Sequence, residues 1–472
     1  MGQAKQNSIK RAGVGYTIGN YLIRGLGFLT VPIFSRLLST ADYGFYNIYT
    51  SYESILFIFV GLALHTSFKN ARLKFVGELN NYVSSCILLS FFNMLIFLCG
   101  ANLICALFHV SNYVYISVLV LHSFGTAIIG YYNTYISLNY QTRDYIRLSF
   151  FYAVGNLLLS IFLLLTVCKE NRAYGRIFGT FFPCFCLAIW IVAGFWKKSK
   201  PIVNKNYWGY ALKYSLPIIP HGISQVLLGS FDRIMIANII GNSQAGIYSF
   251  AYNVYAIISV TYSSLDQVWS PWFYERMSQG DREEIRNCAD KYTLGMALFT
   301  LGVMLVSPEI IQLLGTAEYQ EAVYITIPII IGGFFSYLYS FPAIVEYYYE
   351  KTKFIAIGTM CAASINIFLN YIFIPWFGYV AAVYTTLITY ILYFLFHTII
   401  SIWVNKGNLY NGKGFFMAAF IIIAGGIVAQ LFISNIWIRW VLGFIDAMAL
   451  CWFLNCQFGI IGKIKSGFRK KE

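Results

Sequence analysis

Residues 232–269 read DRIMIANIIGNSQAGIYSFAYNVYAIISVTYSSLDQVW. Six polar residues in this stretch follow one another at steps of three or four, the period of an α-helix: Tyr248, Tyr252, Tyr255, Ser259, Tyr262 and Asp266. The other positions are largely apolar, and the stretch is long enough to cross a bilayer. Because a polar stripe ending in a carboxylate is costly in lipid, we expect it to face protein or a water-filled cavity.

A similar stretch, RLLSTADYGFYNIYTSYESILF, occupies residues 36–57. Its Tyr46, Thr50 and Glu53 share one face of the predicted helix. Two polar stripes, one in each half of the chain, indicate a duplicated transmembrane protein whose interior performs its function.

The composition excludes a soluble protein. The chain is 58% hydrophobic and only 11% charged, with a mean hydropathy of +0.64, whereas soluble domains carry about 25% charged residues. Apolar runs of about 20 residues recur along the chain. They predict an all-α polytopic membrane protein with about fourteen spans, near 13–33, 46–68, 83–107, 113–138, 148–168, 176–196, 210–230, 245–265, 289–307, 320–342, 355–375, 379–403, 415–433 and 437–457.

The net charge of +14 indicates topology. With the N-terminus in the cytoplasm, most lysines and arginines fall in cytoplasmic segments, so the positive-inside rule places both termini there. We interpret the first apolar run as a retained helix, since Arg24 lies at its centre and no small-residue cleavage site follows. No basic patch accompanies a soluble binding fold, so nucleic acid is not an expected partner.

The chain divides at a basic segment, WKKSKPIVNKNYW, at 196–208, which we expect to lie on anionic lipid. The predicted parts are a six-helix bundle at 1–196, a cytoplasmic linker at 197–209, a second six-helix bundle at 210–404, and two extra helices with a basic tail at 405–472. Residues 44–46 match 246–248, and Asn156 matches Asn366, so the halves are parallel repeats.

Arg24 is the most informative charge in the first predicted span, where it follows Asn20 by four residues. An arginine at mid-span costs roughly 2.5–3.5 kcal/mol on insertion scales. Its guanidinium fork can bind a phosphate or a carboxylate in two-point fashion. The alternative is a structural ion pair with Glu53, which could open when substrate enters. Thr50 and Asn20 are further candidate substrate contacts.

In the seventh predicted span, His221 and Gln225 follow Pro217 at helical steps and are candidate cavity residues. The prolines of SLPIIPHG should bend or loosen this helix. Asp232 and Arg233, at its far end, suit ion coupling or gating, as do Glu53 and Asp266.

The tyrosine stripe has two interpretations. Tyr252, Tyr255 and Tyr262 can stack on and hydrogen-bond to sugars in a hydrated cavity, or they can form the polar face of a packed helix. Glu346, near the cytoplasmic mouth, is interpreted as part of a solvated helix end. Charged residues at 268–290 predict a cytoplasmic surface helix. Because histidines and cysteines show no ligand spacing, no metal, cofactor or catalytic residue is expected.

Three segments resemble one known family. They are residues 215–277, from SLPIIPHG to WFYERM; residues 19–49, GNYLIRGLGFLTVPIFSRLLSTADYGFYNIY; and residues 350–390, from EKTKFIAIG to AAVYTTLITY. All three are similar to Wzx-type bacterial polysaccharide flippases of the multidrug/oligosaccharidyl-lipid/polysaccharide (MOP) exporter superfamily.

This resemblance implies two six-helix bundles in a V, as in MATE transporters, plus two C-terminal helices. It implies alternating access in the bacterial inner membrane that carries undecaprenyl-diphosphate-linked oligosaccharide to the outer leaflet, for O-antigen, capsule or exopolysaccharide synthesis. Expected partners are this lipid, the bilayer, a polysaccharide polymerase with its chain-length machinery, and H⁺ or Na⁺. The alternatives are a MATE-like ion-coupled exporter of small molecules and, third, a membrane polymerase or glycosyltransferase, which would need a large catalytic loop.

Overall fold

The computed structural model describes residues 25, 27–109, 112–139, 141–410 and 412–458, and within these residues it contains helices and no strand. The α-helices are α1 Gly27–Leu37, α2 Thr40–Gly61, α3 Phe68–Lys74, α4 Leu79–Leu107, α5 Tyr113–Leu138, α6 Thr142–Leu165, α7 Arg172–Lys198, α8 Lys205–Ser215, α9 Ile219–Ile239, α10 Asn242–Gln279, α11 Arg282–Leu314, α12 Ala322–Leu338, α13 Ser340–Tyr348, α14 Thr352–Phe377, α15 Tyr379–Val404, α16 Gly412–Leu431 and α17 Ile436–Phe458. Short 3₁₀ turns lie at Leu64–Ser67, Leu216–Ile218 and Ala317–Tyr319.

Helices dominate because an α-helix satisfies its own backbone hydrogen bonds where lipid offers none. Ten helical stretches in the described part of the chain are long and apolar enough to cross a membrane, or eleven if α2 and the bent segment after it form one span. Helices α9 and α10 have sufficient length but are not among these ten. The predicted fourteen spans are consistent with this number, since the first predicted span lies mostly outside the described residues.

The described residues form two compact units, which divide between Gly246 and Ile247 inside α10. In the first unit, α5 packs on α2, α4 and α7, while α6 packs on α7 and α9 packs on α2. Its core contains buried hydroxyl pairs: Ser90 Oγ and Tyr131 Oη lie 2.6 Å apart, and Ser67 Oγ and Tyr82 Oη lie 2.8 Å apart. The predicted grouping of spans into six, six and two stays a prediction.

In the second unit, α15 packs on α12 and α14, and the last two helices pack on α11. A two-point ion pair fastens α17 to α11: Arg439 donates from Nη1 and Nη2 to the carboxylate of Glu309 at 2.7 and 2.8 Å. Arg439 is 4% exposed and the Glu309 side chain 25% exposed, so the pair is partly shielded from water and from screening by salt.

The first turns of α2 and α10 cross at two glycines. A Cβ atom on Gly44 would lie 1.8 Å from the carbonyl oxygen of Asn242, and one on Gly246 would lie 2.0 Å from that of Thr40. Thr40 Oγ1 and Ser243 Oγ share a hydrogen bond of 2.7 Å beside the crossing. The two glycines occupy matching positions in the repeat, so equivalent backbones touch directly.

Three span boundaries differ from the prediction. The second span ends at Gly61, where Leu62 and Ala63 adopt positive φ values of 49° and 47° and the chain bends by 54°. The predicted span at 210–230 does not run as one helix, and its break lies where the prolines were expected to loosen it: a 3₁₀ turn begins at Leu216, next to Pro217, and separates α8 from α9. The charged stretch at 268–290 is the end of α10 and the start of α11, joined at Gly280 with φ of 80°.

Candidate functional site

The first unit holds an arginine that the sequence analysis did not single out. Arg176, one turn into α7, is half-buried between α1, α2 and α6. Its Nη1 donates to Asn156 Oδ1 and, at 2.7 Å, to Ser160 Oγ. Its guanidinium carbon lies 3.8 Å from the centre of the Phe34 ring and 4.7 Å from that of Tyr46. Two aromatic faces and two hydrogen bonds therefore hold this cation in one orientation.

The charge of Arg176 is not neutralised by the part of the chain that the structure describes. No carboxylate among the described residues lies within ion-pair distance of it. The hydrogen bonds seen there use Nη1, which leaves the donors on Nη2 and Nε for another acceptor. An arginine held in this way is prepared to bind an oxyanion.

Glu53 lies on the predicted polar face of α2, two helical turns along from Tyr46, whose ring contacts Arg176. Tyr152 of α6 is within electrostatic reach of both Glu53 and Arg176. Glu53 Oε1 is shielded from solvent and has no hydrogen-bond partner among the described residues, and Thr126 of α5 lies near this carboxyl group. The structure thus places Tyr46, Glu53 and Arg176 in one region of the first unit.

Two of the predicted site residues, Asn20 and Arg24, lie outside the described residues. The ion pair between Arg24 and Glu53 therefore stays a prediction, as does phosphate binding by Arg24. Thr50 is described, and its hydroxyl donates to the carbonyl of Asn47 at 2.9 Å within α2.

The predicted residues of α9 differ in exposure. His221 is half-buried with Nδ1 shielded from solvent, whereas Gln225 is exposed. Asp232 is 3% exposed, and its neighbour Arg233 is half-buried. Gating or ion coupling by Asp232 and Arg233 stays a prediction.

The tyrosine stripe of α10 lies in the second unit and is divided by its packing. Tyr262 is buried, with its ring stacked on Tyr337 at 4.5 Å and its hydroxyl 3.3 Å from Thr300 Oγ1. Tyr255 packs directly on Gly333, where an added Cβ would lie 2.0 Å from its ring. Packing against α11 and α12 therefore accounts for Tyr262 and part of Tyr255.

Near the start of the stripe, Tyr248 is buried and Tyr252 is more open. Tyr252 is half-buried, and its hydroxyl lies 3.1 Å from that of Tyr248. Tyr252, Tyr255 and Thr386 line a cavity of about 20 Å³ in the second unit, which is enough for about one water. Asp266 is exposed, although we expected it to end a cavity wall.

A buried polar cluster joins α14 and α15 in the same unit. Asn366 Nδ2 donates to Thr386 Oγ1 at 2.9 Å, and Asn370 Nδ2 donates to Asn366 Oδ1 at 3.2 Å. Thr385 donates in turn to Asn370. These positions repeat the Arg176 site of the first unit, because Asn366, Asn370 and Thr386 each follow Asn156, Ser160 and Arg176 by 210 residues.

The prediction that Glu346 belongs to a solvated helix end is wrong. Its side chain is fully buried, and its Oε1 lies 2.6 Å from Nδ1 of His397, which is also fully buried. Glu346 belongs to α13, which continues the span begun by α12, so its carboxyl group faces α15 instead of water. In the part of the chain that is described, no three His, Cys, Asp or Glu residues gather as metal ligands would.

Comparison with known proteins assigns the chain to a family. A family model described as polysaccharide biosynthesis protein matches residues 10–277, which is more than half of the chain. The chain belongs to the polysaccharide biosynthesis protein family. A curated relative, an Lsg locus protein of Haemophilus influenzae, is 25% identical to this chain over 225 residues. The match covers 44% of this chain and 55% of that protein. The chain thus spans about half the length of this relative.

Solved structures show the fold of this polysaccharide biosynthesis protein. The lipid II flippase MurJ in an inward closed conformation matches with a TM-score of 0.68 at 15% identity, over 93% of this chain and 98% of MurJ. An inward-facing multidrug resistance MATE transporter of the MOP superfamily matches with a TM-score of 0.65 at 12% identity, over 84% and 99%. The predicted all-α polytopic, MATE-like fold is confirmed. These two neighbours are themselves described as a flippase and a transporter.

Sequence reasoning missed Arg176 because an arginine near the end of a predicted span is ordinary in membrane proteins. The repeat contained the signal that could have found it. Asn156 and Asn366 had been matched, and the same offset carries Ser160 to Asn370 and Arg176 to Thr386.

Proposed function

We propose that this member of the polysaccharide biosynthesis family is a flippase for undecaprenyl-diphosphate-linked oligosaccharide. It carries repeat units of a surface polysaccharide from the cytoplasmic to the outer leaflet of the bacterial inner membrane by alternating access. The single observation that supports this most is Arg176, a fixed cation with unused donors and no carboxylate partner among the described residues.

The physical argument concerns the diphosphate. Moving its charge through hydrocarbon is prohibitive, whereas the lipid tail can remain in the membrane throughout. A guanidinium fork held on aromatic faces binds phosphate oxygens at two points. In this proposal Arg176 and Arg24 bind the diphosphate, and Asn20 and Thr50 contact sugar.

Ion coupling is the less supported part of the proposal. We assign H⁺ or Na⁺ coupling to Glu53 and Asp232, since both carboxyl groups are shielded from bulk water. Asp266 is less suited to ion coupling. Because it is exposed, the free energy of ion binding to its carboxylate should differ little between two transport states. We also propose that the polysaccharide polymerase and its chain-length machinery receive the transported unit.

The alternative is a MATE-like exporter of small molecules, which the fold permits. Exporters of organic cations need acidic interiors, however, and an unneutralised arginine repels a cationic substrate. A large catalytic loop, as a polymerase or glycosyltransferase would need, does not fit the short connections between the described helices.

The test is Arg176→Gln, with Arg172→Gln as the matched control. Arg172 lies one turn earlier on α7, is exposed, and donates to the carbonyl of Leu37 at 2.9 Å. Because hydrogen bonds to charged groups contribute about 1.5–3 kcal/mol, losing the fork should weaken binding of undecaprenyl diphosphate to the purified protein roughly 10- to 100-fold. Arg176→Lys should restore part of this affinity, since charge is kept and geometry is lost.

Polymer export in a strain that depends on this gene gives the second measurement. We expect export to fall with Arg176→Gln and with Arg24→Ala, and to persist with Arg172→Gln, at equal amounts of inserted protein. Unchanged lipid affinity and unchanged export with Arg176→Gln would remove this residue from the mechanism.

A further inference from the structure

A second cavity lies in the first unit, away from Arg176, where α5 and α7 end and α6 begins. Its volume is about 310 Å³, which reaches the size of small-ligand sites, roughly 300–1,000 Å³. Nothing in the proposed transport mechanism uses it.

The walls of this cavity are aromatic. Tyr132 meets Trp190 edge-on, with ring centres 6.1 Å apart, and its ring stacks at 6.4 Å on that of Tyr135. Trp190 is 61% exposed, so the aromatic wall continues to the outer surface of the unit. Exposed tryptophans of this kind concentrate where a membrane meets water.

Charges of both signs line the same cavity: Asp144 on the first turn of α6, and Lys197 and Lys198 on the last turn of α7. Asp144 is within electrostatic reach of Tyr132. Within the described residues, no hydrogen bond or ion pair engages the Asp144 carboxylate or either ammonium group. The charged groups are therefore held near one another without satisfying one another.

We propose that this cavity binds the head group of a zwitterionic phospholipid, one that carries a phosphate and a primary ammonium, as phosphatidylethanolamine does. Lys197 and Lys198 face the phosphate, Asp144 and the tyrosine rings receive the ammonium, and Trp190 packs along the glycerol and upper acyl chains.

Charge complementarity favours this occupant over an anionic lipid. Phosphatidylglycerol satisfies the two lysines but brings no cation to Asp144, and a diphosphate brings additional negative charge towards that carboxylate. The position also fits, because basic residues follow directly in the linker and attract the lipid surface. Gly194 lines the cavity, and a Cβ added there would meet no atom within 4 Å.

The experiment is native mass spectrometry of the purified, delipidated full-length protein with dioleoyl phosphatidylethanolamine and dioleoyl phosphatidylglycerol in competition. We expect preferential retention of one phosphatidylethanolamine. Gly194→Trp fills the cavity and should abolish this retained lipid. Since each basic residue near a membrane surface contributes about fivefold, Lys197→Ala with Lys198→Ala should weaken retention of both lipids about 25-fold.

Asp144→Asn tests whether this carboxylate selects the head group. We expect this variant to lose the preference for phosphatidylethanolamine and to retain phosphatidylglycerol as the unmodified protein does. Lys200→Ala, in the linker and outside the cavity, is the matched control and should leave the preference between the two lipids unchanged. Equal retention of the two lipids by the unmodified protein, or an Asp144→Asn variant with the same preference, would overturn the assignment. Because Lys197 and Lys198 are exposed, their variants test the proposal even where Gly194→Trp disturbs folding.

Discussion

The crossing of α2 and α10 allows a quantitative prediction, because two small residues bring two backbones into contact. In Gly44→Ala, the new Cβ would lie 1.8 Å from the carbonyl oxygen of Asn242. Carbon and carbonyl oxygen in ordinary contact lie about 3.3 Å apart or more. The backbones must therefore separate by roughly 1.5 Å, and no flexible side chain can move aside to relieve the contact.

The expected loss of stability follows from two opposing effects. Overpacking of this kind costs about 3 kcal/mol, the upper end of the usual range, since backbone must move. Alanine also favours the helix over glycine by about 1 kcal/mol. Gly44→Ala should therefore lower the free energy of unfolding by about 2 kcal/mol.

Gly229→Ala is the matched control, because Gly229 lies inside α9 with no atom within 4 Å of its added Cβ. It should gain about 1 kcal/mol from helix propensity alone, so the two variants should differ by about 3 kcal/mol. The measurement is unfolding by sodium dodecyl sulfate in dodecyl maltoside micelles, followed by tryptophan fluorescence. Equal stability of Gly44→Ala and Gly229→Ala would refute direct backbone contact at this crossing.

A double-mutant cycle sharpens the test. Gly246→Ala perturbs the same crossing from α10, since its Cβ would lie 2.0 Å from the carbonyl oxygen of Thr40. Once Gly44→Ala has separated the backbones, Gly246→Ala should cost at least about 1 kcal/mol less than it does alone. Additive effects would mean that the two glycines serve separate contacts.

Two further predictions concern the second unit. Glu346→Ala leaves the buried His397 imidazole without its partner and should lower the free energy of unfolding by about 3 kcal/mol, whereas the same change at the exposed Glu350 should have little effect; equal effects would contradict the buried pair. In a cysteine-free background, Tyr252→Cys should react with a membrane-impermeant thiol reagent at least tenfold faster than Tyr262→Cys, because Tyr262 is stacked on Tyr337 in the core, and equal labelling rates would remove the proposed division of the stripe.

The sequence predicted the elements and their polar faces better than it predicted which side chains would be buried. The spacing of three or four residues between the tyrosines of α10 correctly placed them on one face of a helix. What decides between a wet cavity and a packed face, however, is Tyr337 for Tyr262 and Gly333 for Tyr255. Both partners lie about 75 residues further on, and helical periodicity carries no information about them.

Glu346 illustrates the same limit. A charged residue among tyrosines near a cytoplasmic loop is ordinary at a solvated helix end. Its burial depends on His397, 51 residues later, and a lone histidine in an apolar span does not identify its partner. In contrast, proline chemistry is local, and the break beside Pro217 followed from the sequence alone.

The bend after α2 had no sequence signal of the usual kind. Leu62 and Ala63 both adopt left-handed backbone conformations, which glycine or asparagine normally occupy. Tertiary contacts must hold this turn: the hydroxyl of Tyr131 donates to the carbonyl of Gly61, and Asn93 donates to the carbonyls of Phe59 and Val60.

The two copies of the repeat suggest why the first unit should bind the anion. In the second unit, Asn366, Asn370 and Thr386 form a chain in which neutral amides and hydroxyls donate to one another. In the first unit, the residue that matches Thr386 is Arg176, which brings a permanent positive charge and more donors than its two partners there can accept. A duplicated structural cluster needs no such charge, because a hydroxyl completes it. The change from hydroxyl to guanidinium at one of the matched positions therefore supports the proposal that the first unit binds the anion.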